Sequence, residues 1–141
     1  MSLVLSQPTE KDPALICPKD GVVMERFDAD GIAVDRCPEC GGIWLDLGEL
    51  RALLDRPPEA APLITLLDRP ERRVQKRSTR NPREEWLCPR DGARLVSMRD
   101  PRQPHIEYEV CTVCGGVFFD AGELADLSRY TLLERLRSIV G

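Results

Sequence analysis

Long apolar runs, aromatic side chains and histidine are all scarce in this sequence. No apolar run approaches the roughly 20 residues that cross a bilayer, so we expect no membrane span. Residues 1–8 lack a basic segment followed by an apolar one, so we expect no secretory signal and a cytoplasmic protein. Only 5% of the 141 residues are aromatic, whereas 12 prolines and 10 glycines indicate many turns. The composition therefore favours small units held by something other than apolar burial.

The scarcity of histidine also limits the chemistry. His105 is the single histidine, and no Ser–His or Cys–His pair suggests acid–base catalysis. A thioredoxin-like redox motif would lie near a βαβ pattern, which this sequence lacks. A zinc deaminase would carry proline before C-x-x-C, where Arg36 and Val110 stand here. We therefore predict no enzyme activity, and keep as an alternative a metal- or redox-responsive protein or a zinc enzyme.

Cysteine, by contrast, is plentiful and regularly spaced. Two pairs have C-x-x-C spacing, Cys37 with Cys40 and Cys111 with Cys114, and two further cysteines stand alone, Cys17 and Cys88. Disulfides are rare in the reducing cytosol, and C-x-x-C is the spacing of zinc-binding turns. We therefore favour metal binding over three disulfides.

The chain is an internal repeat. Cys17–Gly21 matches Cys88–Gly92, and Arg36–Leu50 matches Val110–Leu124. Units this small usually need a metal or disulfides for stability. We predict one unit at 14–56, a linker at 57–84 that is basic from residue 69, and a second unit at 85–141.

Each unit carries the pattern of a β-hairpin followed by a helix. We predict strands at 22–27 and 32–36 around a turn at 28–31, and strands at 93–98 and 106–110 in the second unit. Asp46 is the predicted N-cap of the first helix with Glu49 at the capping-box position, and Asp120 and Glu123 repeat this pair. Helical spacing of leucines extends the second helix into a C-terminal amphipathic segment. The predicted fold class is a small, metal-bound α+β protein.

Two turns per unit have the pattern of a zinc knuckle, in which two ligands three residues apart precede a glycine. Each first knuckle carries aspartate where a second cysteine would stand. The predicted ligands are Cys17, Asp20, Cys37 and Cys40 for one ion, and Cys88, Asp91, Cys111 and Cys114 for a second. The alternatives for the fourth ligand are Glu49 and Glu123, or water. We predict two zinc ions per chain and consider iron the weaker choice.

The run C-P-x-D followed by C-x-x-C-G-G-[IV]-[WF]-[LF]-D-x-G-E-L resembles a family of small bacterial zinc-finger domains similar to the zinc ribbon of transcription factor IIB. The resemblance covers 17–54 and 88–127, in tandem duplicate. It implies two zinc-ribbon units, with the six cysteines as zinc ligands, and a loose association with transcription. Asp20 and Asp91 stand where the family often has cysteine.

The charge pattern bears on the partner. Residues 69–83 hold seven basic residues and one acidic residue, a net charge of +6, and the rest of the chain carries −10. A basic linker could bind phosphates, but the acidic units argue against nucleic acid as the main partner. We predict a non-catalytic adaptor with a protein partner, and nucleic acid bound through the linker is the alternative. The oligomeric state and the packing of the two units stay open.

We expect each unit to fold around its own ion. On that expectation, Cys40→Ala would unfold 17–54 and leave the second unit mostly intact.

Overall fold

The computed structural model describes residues 3–56, Ile64, Asp68, 82–101 and 106–127. Most of the predicted linker and the C-terminal amphipathic helix beyond residue 127 lie outside the described residues, and the predicted unit boundaries stay predictions. In the described part of the chain, no helix is long and apolar enough to span a membrane.

The described residues are mostly antiparallel sheet, with few helical segments. The strands, in chain order, are β1 (Leu3–Ser6), β2 (Glu25–Ala29), β3 (Ile32–Arg36), β4 (Ile43–Leu45), β5 (Val96–Arg99), β6 (Glu107–Val110) and β7 (Val117–Phe119). They form one seven-stranded sheet in the order β1-β2-β3-β4-β7-β6-β5. The two halves of the repeat therefore meet at β4 and β7, in the middle of a single sheet.

A two-residue turn joins β2 to β3. Asp30 and Gly31 both have positive φ, 51° and 89°, which is the backbone of a type I′ hairpin turn. The predicted strand 32–36 is confirmed, but β2 begins three residues later than predicted. The reason is that residues 22–24 bond to the first knuckle instead: the Cys17 N–H donates to the Val22 carbonyl at 2.8 Å, and the Met24 N–H donates to the Leu15 carbonyl at 2.8 Å.

The same shift occurs in the second half. The Cys88 N–H donates to the Ala93 carbonyl at 2.7 Å, and the Leu95 N–H donates to the Trp86 carbonyl at 2.9 Å. The hairpin strand β5 therefore begins at Val96 rather than at residue 93. In both halves, the residues after the first knuckle close that knuckle before the hairpin begins.

Pairing of β4 with β7 joins the halves. Ile43 lies opposite Phe119, Trp44 opposite Phe118 and Leu45 opposite Val117. All six residues are buried, because the centre of the sheet is covered on both faces. A strand buried on both faces is a short continuous apolar run without alternating polar residues. The sequence patterns therefore predicted neither β4 nor β7. They also did not predict β1, which covers the outer edge of β2.

The two faces of the sheet support two separate cores. One face packs against α1 (Glu49–Leu54) and the helical residues 123–127, and its buried residues include Val34, Ile43, Leu45, Leu53, Ile106, Phe119 and Leu124. The other face carries five of the six cysteines among Leu15, Met24, Trp44, Trp86, Leu95 and Phe118, with Cys114 packed against them. Because adjacent residues of a strand point to opposite faces, Trp44 joins the cysteine side while its neighbours Ile43 and Leu45 join the helix side.

The N-cap of α1 differs from the prediction. Gly48, with φ of 89°, is the N-cap residue, and no side chain caps the helix. The predicted Asp46 is turned away because its carboxylate accepts hydrogen bonds from other groups. Half of the predicted capping box remains, since Glu49 Oε1 accepts the Asp46 N–H at 2.7 Å. Burial raises the pKa of the Glu49 carboxyl to about 7.

Two described residues of the predicted linker are buried. Ile64 lies in the helix-side core, which contains residues of both halves. The Asp68 carboxylate accepts the Gly122 N–H at 2.9 Å and the Ala125 N–H at 2.8 Å, which satisfies the start of the helical residues 123–127. Burial raises the pKa of Asp68 to about 6. No sequence pattern indicated this cap, because the capping residue lies 54 residues away from Gly122.

The second glycine of each Gly-Gly pair makes room for a ring from the other half. A Cβ on Gly42 would lie 2.3 Å from Cζ of Phe118, and a Cβ on Gly116 would lie 2.1 Å from Cζ2 of Trp44. These distances are shorter than any van der Waals contact, so only glycine permits the crosswise packing. The first glycines, Gly41 and Gly115, have φ of 74° and 80° and serve the knuckle turns.

We predict that Gly116→Ala destabilises the metal-loaded protein by about 2–3 kcal/mol, because the new methyl group overlaps the Trp44 ring. Denaturant unfolding measures the loss. Gly31→Ala is the control, since nothing lies within 4 Å of a Cβ there, and the positive φ alone costs about 1 kcal/mol. Trp44→Leu in the Gly116→Ala background should cost less than Trp44→Leu alone. Additive losses, or a Gly116→Ala protein as stable as the wild type, would contradict the crosswise contact.

Candidate metal centres

The first knuckle of each half has the same backbone as the C-x-x-C knuckle. The Gly21 N–H donates to the Cys17 carbonyl at 2.9 Å, as the Gly41 N–H does to the Cys37 carbonyl. Both glycines have φ of 74°. Asp20 therefore occupies the position in its turn that Cys40 occupies in the other turn. The Asp20 side chain also accepts the Val22 N–H, which leaves its carboxylate facing the sulfur atoms.

The structure gathers the eight predicted residues into two clusters. One holds Cys17, Asp20, Cys37 and Cys40, the other holds Cys88, Asp91, Cys111 and Cys114, and within each the possible ligand atoms lie within 4.8 Å of one another. Neither cluster includes Glu49 or Glu123, whose carboxylates accept backbone N–H groups instead. His105 lies outside the described residues. All six cysteines are free, so no disulfide links them.

The distances fit one tetrahedral ion per cluster. A metal–sulfur bond of about 2.3 Å in a tetrahedron separates two sulfurs by about 3.8 Å, and with a metal–oxygen bond of about 2.0 Å it separates sulfur from oxygen by about 3.5 Å. The Cys17 and Cys40 sulfurs are 3.7 Å apart, and the Cys37 sulfur is 3.4 Å from both Asp20 oxygens. In the second cluster, the Cys88 and Cys114 sulfurs are 3.6 Å apart, and the Cys111 sulfur is 3.4 Å from Asp91 Oδ2.

The acidic groups of the first cluster also favour the binding of a cation. Hydrogen bonding to Cys37 raises the pKa of the Cys17 thiol, and the same contact lowers the pKa of Cys37. Burial raises the pKa of Asp20, and the nearby Cys37 sulfur raises it further. Four acidic groups at this distance repel one another when all are ionised, and a divalent cation removes that repulsion. The donor set therefore fits a metal ion that binds sulfur and carboxylate.

The two clusters differ in their exposure to solvent. All four residues of the first cluster are buried, with exposed fractions of 1% for Cys17 and 8% for Asp20. In the second cluster, Cys88 and Cys111 are buried, Cys114 is partly exposed and Asp91 is exposed. Equivalent positions of the repeat thus have unequal access to water.

Reciprocal ion pairs tie each first knuckle to the other half. Lys19 Nζ lies 2.8 Å from Asp120 Oδ1, and Arg90 Nη2 lies 2.7 Å from Asp46 Oδ2. Lys19 is only 2% exposed, so its pairing with Asp120 offsets the cost of burying the charge. Burial alone would raise the pKa of Asp46, but hydrogen bonds from Arg90 and Trp44 outweigh it and lower that pKa. Lys19 and Arg90 occupy equivalent positions of the repeat, and so do Asp46 and Asp120. This equivalence could have indicated reciprocal ion pairs, but the sequence analysis did not predict them.

Three aromatic rings fill the space around the clusters. Trp86 and Phe118 meet edge to face, with ring centroids 5.6 Å apart and planes at 84°. Trp44, Trp86 and Phe118 are at most 1% exposed. They pack against the cysteines, and rings this buried offer no exposed face on which bases could stack.

Two knuckle pairs in tandem, with this spacing, are typical of a duplicated zinc ribbon. A family model described as a transcription factor zinc-finger, of the transcription factor IIB zinc-ribbon type, matches residues 16–56 and again 87–129. The chain belongs to that family, and the two matches cover both halves of the repeat. No curated protein and no solved structure matches the chain.

Proposed function

We propose that this protein is a non-catalytic zinc-binding adaptor for a protein partner. In this proposal, Cys17, Asp20, Cys37 and Cys40 bind one zinc ion, and Cys88, Asp91, Cys111 and Cys114 bind the second. Each half then acts as a zinc-ribbon unit of two knuckles, a hairpin and a helix. The observation that carries the proposal is the pair of four-residue clusters at tetrahedral distances inside the shared core.

A full set of four protein ligands supports a structural rather than a catalytic ion. Catalytic zinc sites usually keep one position open for water or substrate, whereas structural sites are closed by four side chains. In the first cluster, all four side chains are buried, which agrees with a closed structural site. The family is generally non-catalytic as well. We propose zinc rather than iron because a given set of sulfur and oxygen ligands binds zinc more tightly than iron(II).

We predict that Asp20→Asn and Asp91→Asn each weaken zinc retention at neutral pH, because the amide removes one anionic ligand while preserving the turn. Asp20→Cys should strengthen retention, since it completes a four-sulfur site. The measurement is zinc transfer to a chromogenic chelator from protein that holds two ions per chain by elemental analysis and native mass spectrometry.

Glu49→Gln is the matched control for the first cluster. It keeps an oxygen that accepts the Asp46 N–H, and it should retain zinc like the wild type. Zinc loss in Glu49→Gln with normal retention in Asp20→Asn would move the fourth ligand to the helix. Fewer than one zinc or iron ion per chain after metal-replete expression would contradict metal binding altogether.

A cleft of about 390 Å³ between the two first knuckles supports a protein partner. Its walls include the apolar side chains of Ile16 and Leu87, which are 48% and 51% exposed, and Val23, which pairs with Ile16, is 54% exposed. Glu85 is the charged residue among the described residues that line it. Apolar walls with one acidic side chain favour an apolar peptide segment over a phosphate backbone.

Nucleic acid remains the second candidate because of the basic run at 69–83. That run lies almost wholly outside the described residues. A phosphate partner would bind it mainly through charge, with affinity that falls steeply as salt increases. The proposed link to transcription rests on the family description, and six free cysteines agree with a reducing compartment such as the cytoplasm.

Leu87→Glu should abolish capture of the partner while leaving two zinc ions bound, because it places a charge on the cleft wall. Quantitative affinity purification from the producing cells, followed by reconstitution with the purified partner, measures this effect. Val113→Glu is the control, since Val113 is 72% exposed and lies outside the cleft lining. Nucleic acid would be supported instead by salt-dependent binding to duplex DNA or RNA. That binding should be unchanged in Leu87→Glu and abolished when the basic residues of 69–83 are replaced by neutral ones.

A further inference from the structure

We propose that the second cluster is a thiol-oxidation site, in which peroxide joins Cys88 to Cys114 as a disulfide and releases one of the two zinc ions. The first cluster keeps its ion under the same conditions. This inference rests on the metal-ligand assignment proposed above and adds a chemical response that only one half of the repeat can give.

The equivalent first knuckles of the two halves differ in burial. In the first half, Cys17, Pro18, Lys19 and Asp20 are all buried. In the second half, the matching residues become progressively more open, from buried Cys88 through partly exposed Pro89 and Arg90 to exposed Asp91. Arg90 is 25% exposed where Lys19 is 2% exposed. A small oxidant can therefore approach the second ion from the side of its carboxylate ligand.

The cysteine of the other knuckle repeats this contrast. Cys40 is 3% exposed, and its sulfur accepts the Gly42 N–H at 3.3 Å beneath the ring of Phe118. Cys114 is partly exposed, next to Val113, which is 72% exposed. Oxidation of a cysteine requires thiolate character together with access, and zinc supplies the thiolate in both clusters. Access then distinguishes Cys114 from Cys40.

A partner thiolate lies close to the accessible one. The Cys88 and Cys114 sulfurs are 3.6 Å apart and belong to different knuckles. A disulfide needs a sulfur–sulfur distance of about 2.05 Å, so the two must approach by about 1.6 Å. Asp91 is exposed and Arg90 is partly exposed, so the turn that carries Cys88 lies at the surface. Cys111 is fully buried and is held against Asp91, so it is the less accessible sulfur.

The reaction is balanced with hydrogen peroxide as the oxidant. The Cys114 thiolate attacks one peroxide oxygen and the O–O bond breaks, which gives Cys114 sulfenic acid and, after one proton is taken up, one water. The Cys88 thiolate then attacks the sulfenic sulfur, and hydroxide leaves and takes up a second proton as a second water. Two electrons pass from the sulfurs to peroxide. Cys111 and Asp91 alone hold a divalent ion weakly, so zinc leaves.

The test uses the full chain loaded with two zinc ions, counted by native mass spectrometry. Hydrogen peroxide is added, and released zinc is followed with a chromogenic chelator. We expect one equivalent of zinc to leave at least tenfold faster than the second. Peptide mass spectrometry after alkylation should then find a disulfide between Cys88 and Cys114, with Cys17, Cys37 and Cys40 alkylated. Dithiothreitol with added zinc should restore the two-zinc protein.

Matched variants test which thiolate reacts. Cys114→Asp keeps an anionic ligand but removes the attacked sulfur, so it should abolish the fast phase. Val4→Ser, at a 57% exposed side chain of the edge strand β1, should leave the fast phase unchanged. The disulfide map of the wild type decides the question if either variant fails to bind zinc.

Each outcome has a distinct meaning. Two zinc ions that leave at equal rates, no release, or a disulfide within the first cluster would overturn the oxidation site while leaving the proposed function intact. Fewer than two zinc ions before any peroxide is added would instead overturn the ligand assignment of the proposed function.

Discussion

The structure depends on the antiparallel contact between β4 and β7. Each strand has three residues, and each sends one ring across to the glycine that follows the other half's knuckle. Trp44 thereby packs over the second half and Phe118 over the first. The two ion pairs from Lys19 and Arg90 run between the halves in the same reciprocal way. Neither half has a complete cysteine-side core without the other, because the cysteines of both clusters line a single core.

Metal binding completes a core that has few large side chains. The cysteine-side core contains three large aromatic rings and five buried sulfurs, and the thiol and carboxyl groups of each cluster repel one another when ionised unless a cation is present. Zinc binding to small domains contributes on the order of 10 kcal/mol, which exceeds what a unit of this size gains from apolar burial. Stabilisation by metal binding in place of apolar burial explains the sequence composition, in which cysteine, glycine and proline are plentiful and aromatic residues are scarce.

Much of the architecture was readable from the sequence because its signals are local. The repeat, the knuckles, the strand at 32–36 and a hairpin turn within the predicted 28–31 depend on neighbouring residues alone, although β2 runs on to Ala29 and narrows that turn. The edge strand β1, the central strands, the Asp68 cap and the crosswise rings depend on residues far apart in the chain. Asp46 shows the competition between these levels: its local pattern predicts an N-cap, but Trp44 and Arg90 take its carboxylate. The knuckle patterns predict all eight residues of the two clusters, and their ligand roles stay a proposal.

Hydrogen exchange of Cys40→Ala in the full chain tests most directly whether the two halves form one metal-dependent core. The sequence alone predicted that only 17–54 would unfold, whereas the shared sheet and core predict loss of amide protection in β7 and β6 as well as in β3 and β4. The variant should be compared with the zinc-loaded wild type by exchange and mass spectrometry under identical conditions. Loss of protection in both halves is the result that this structure predicts. Full protection of residues 106–127 in a chain whose first half has lost protection would contradict it.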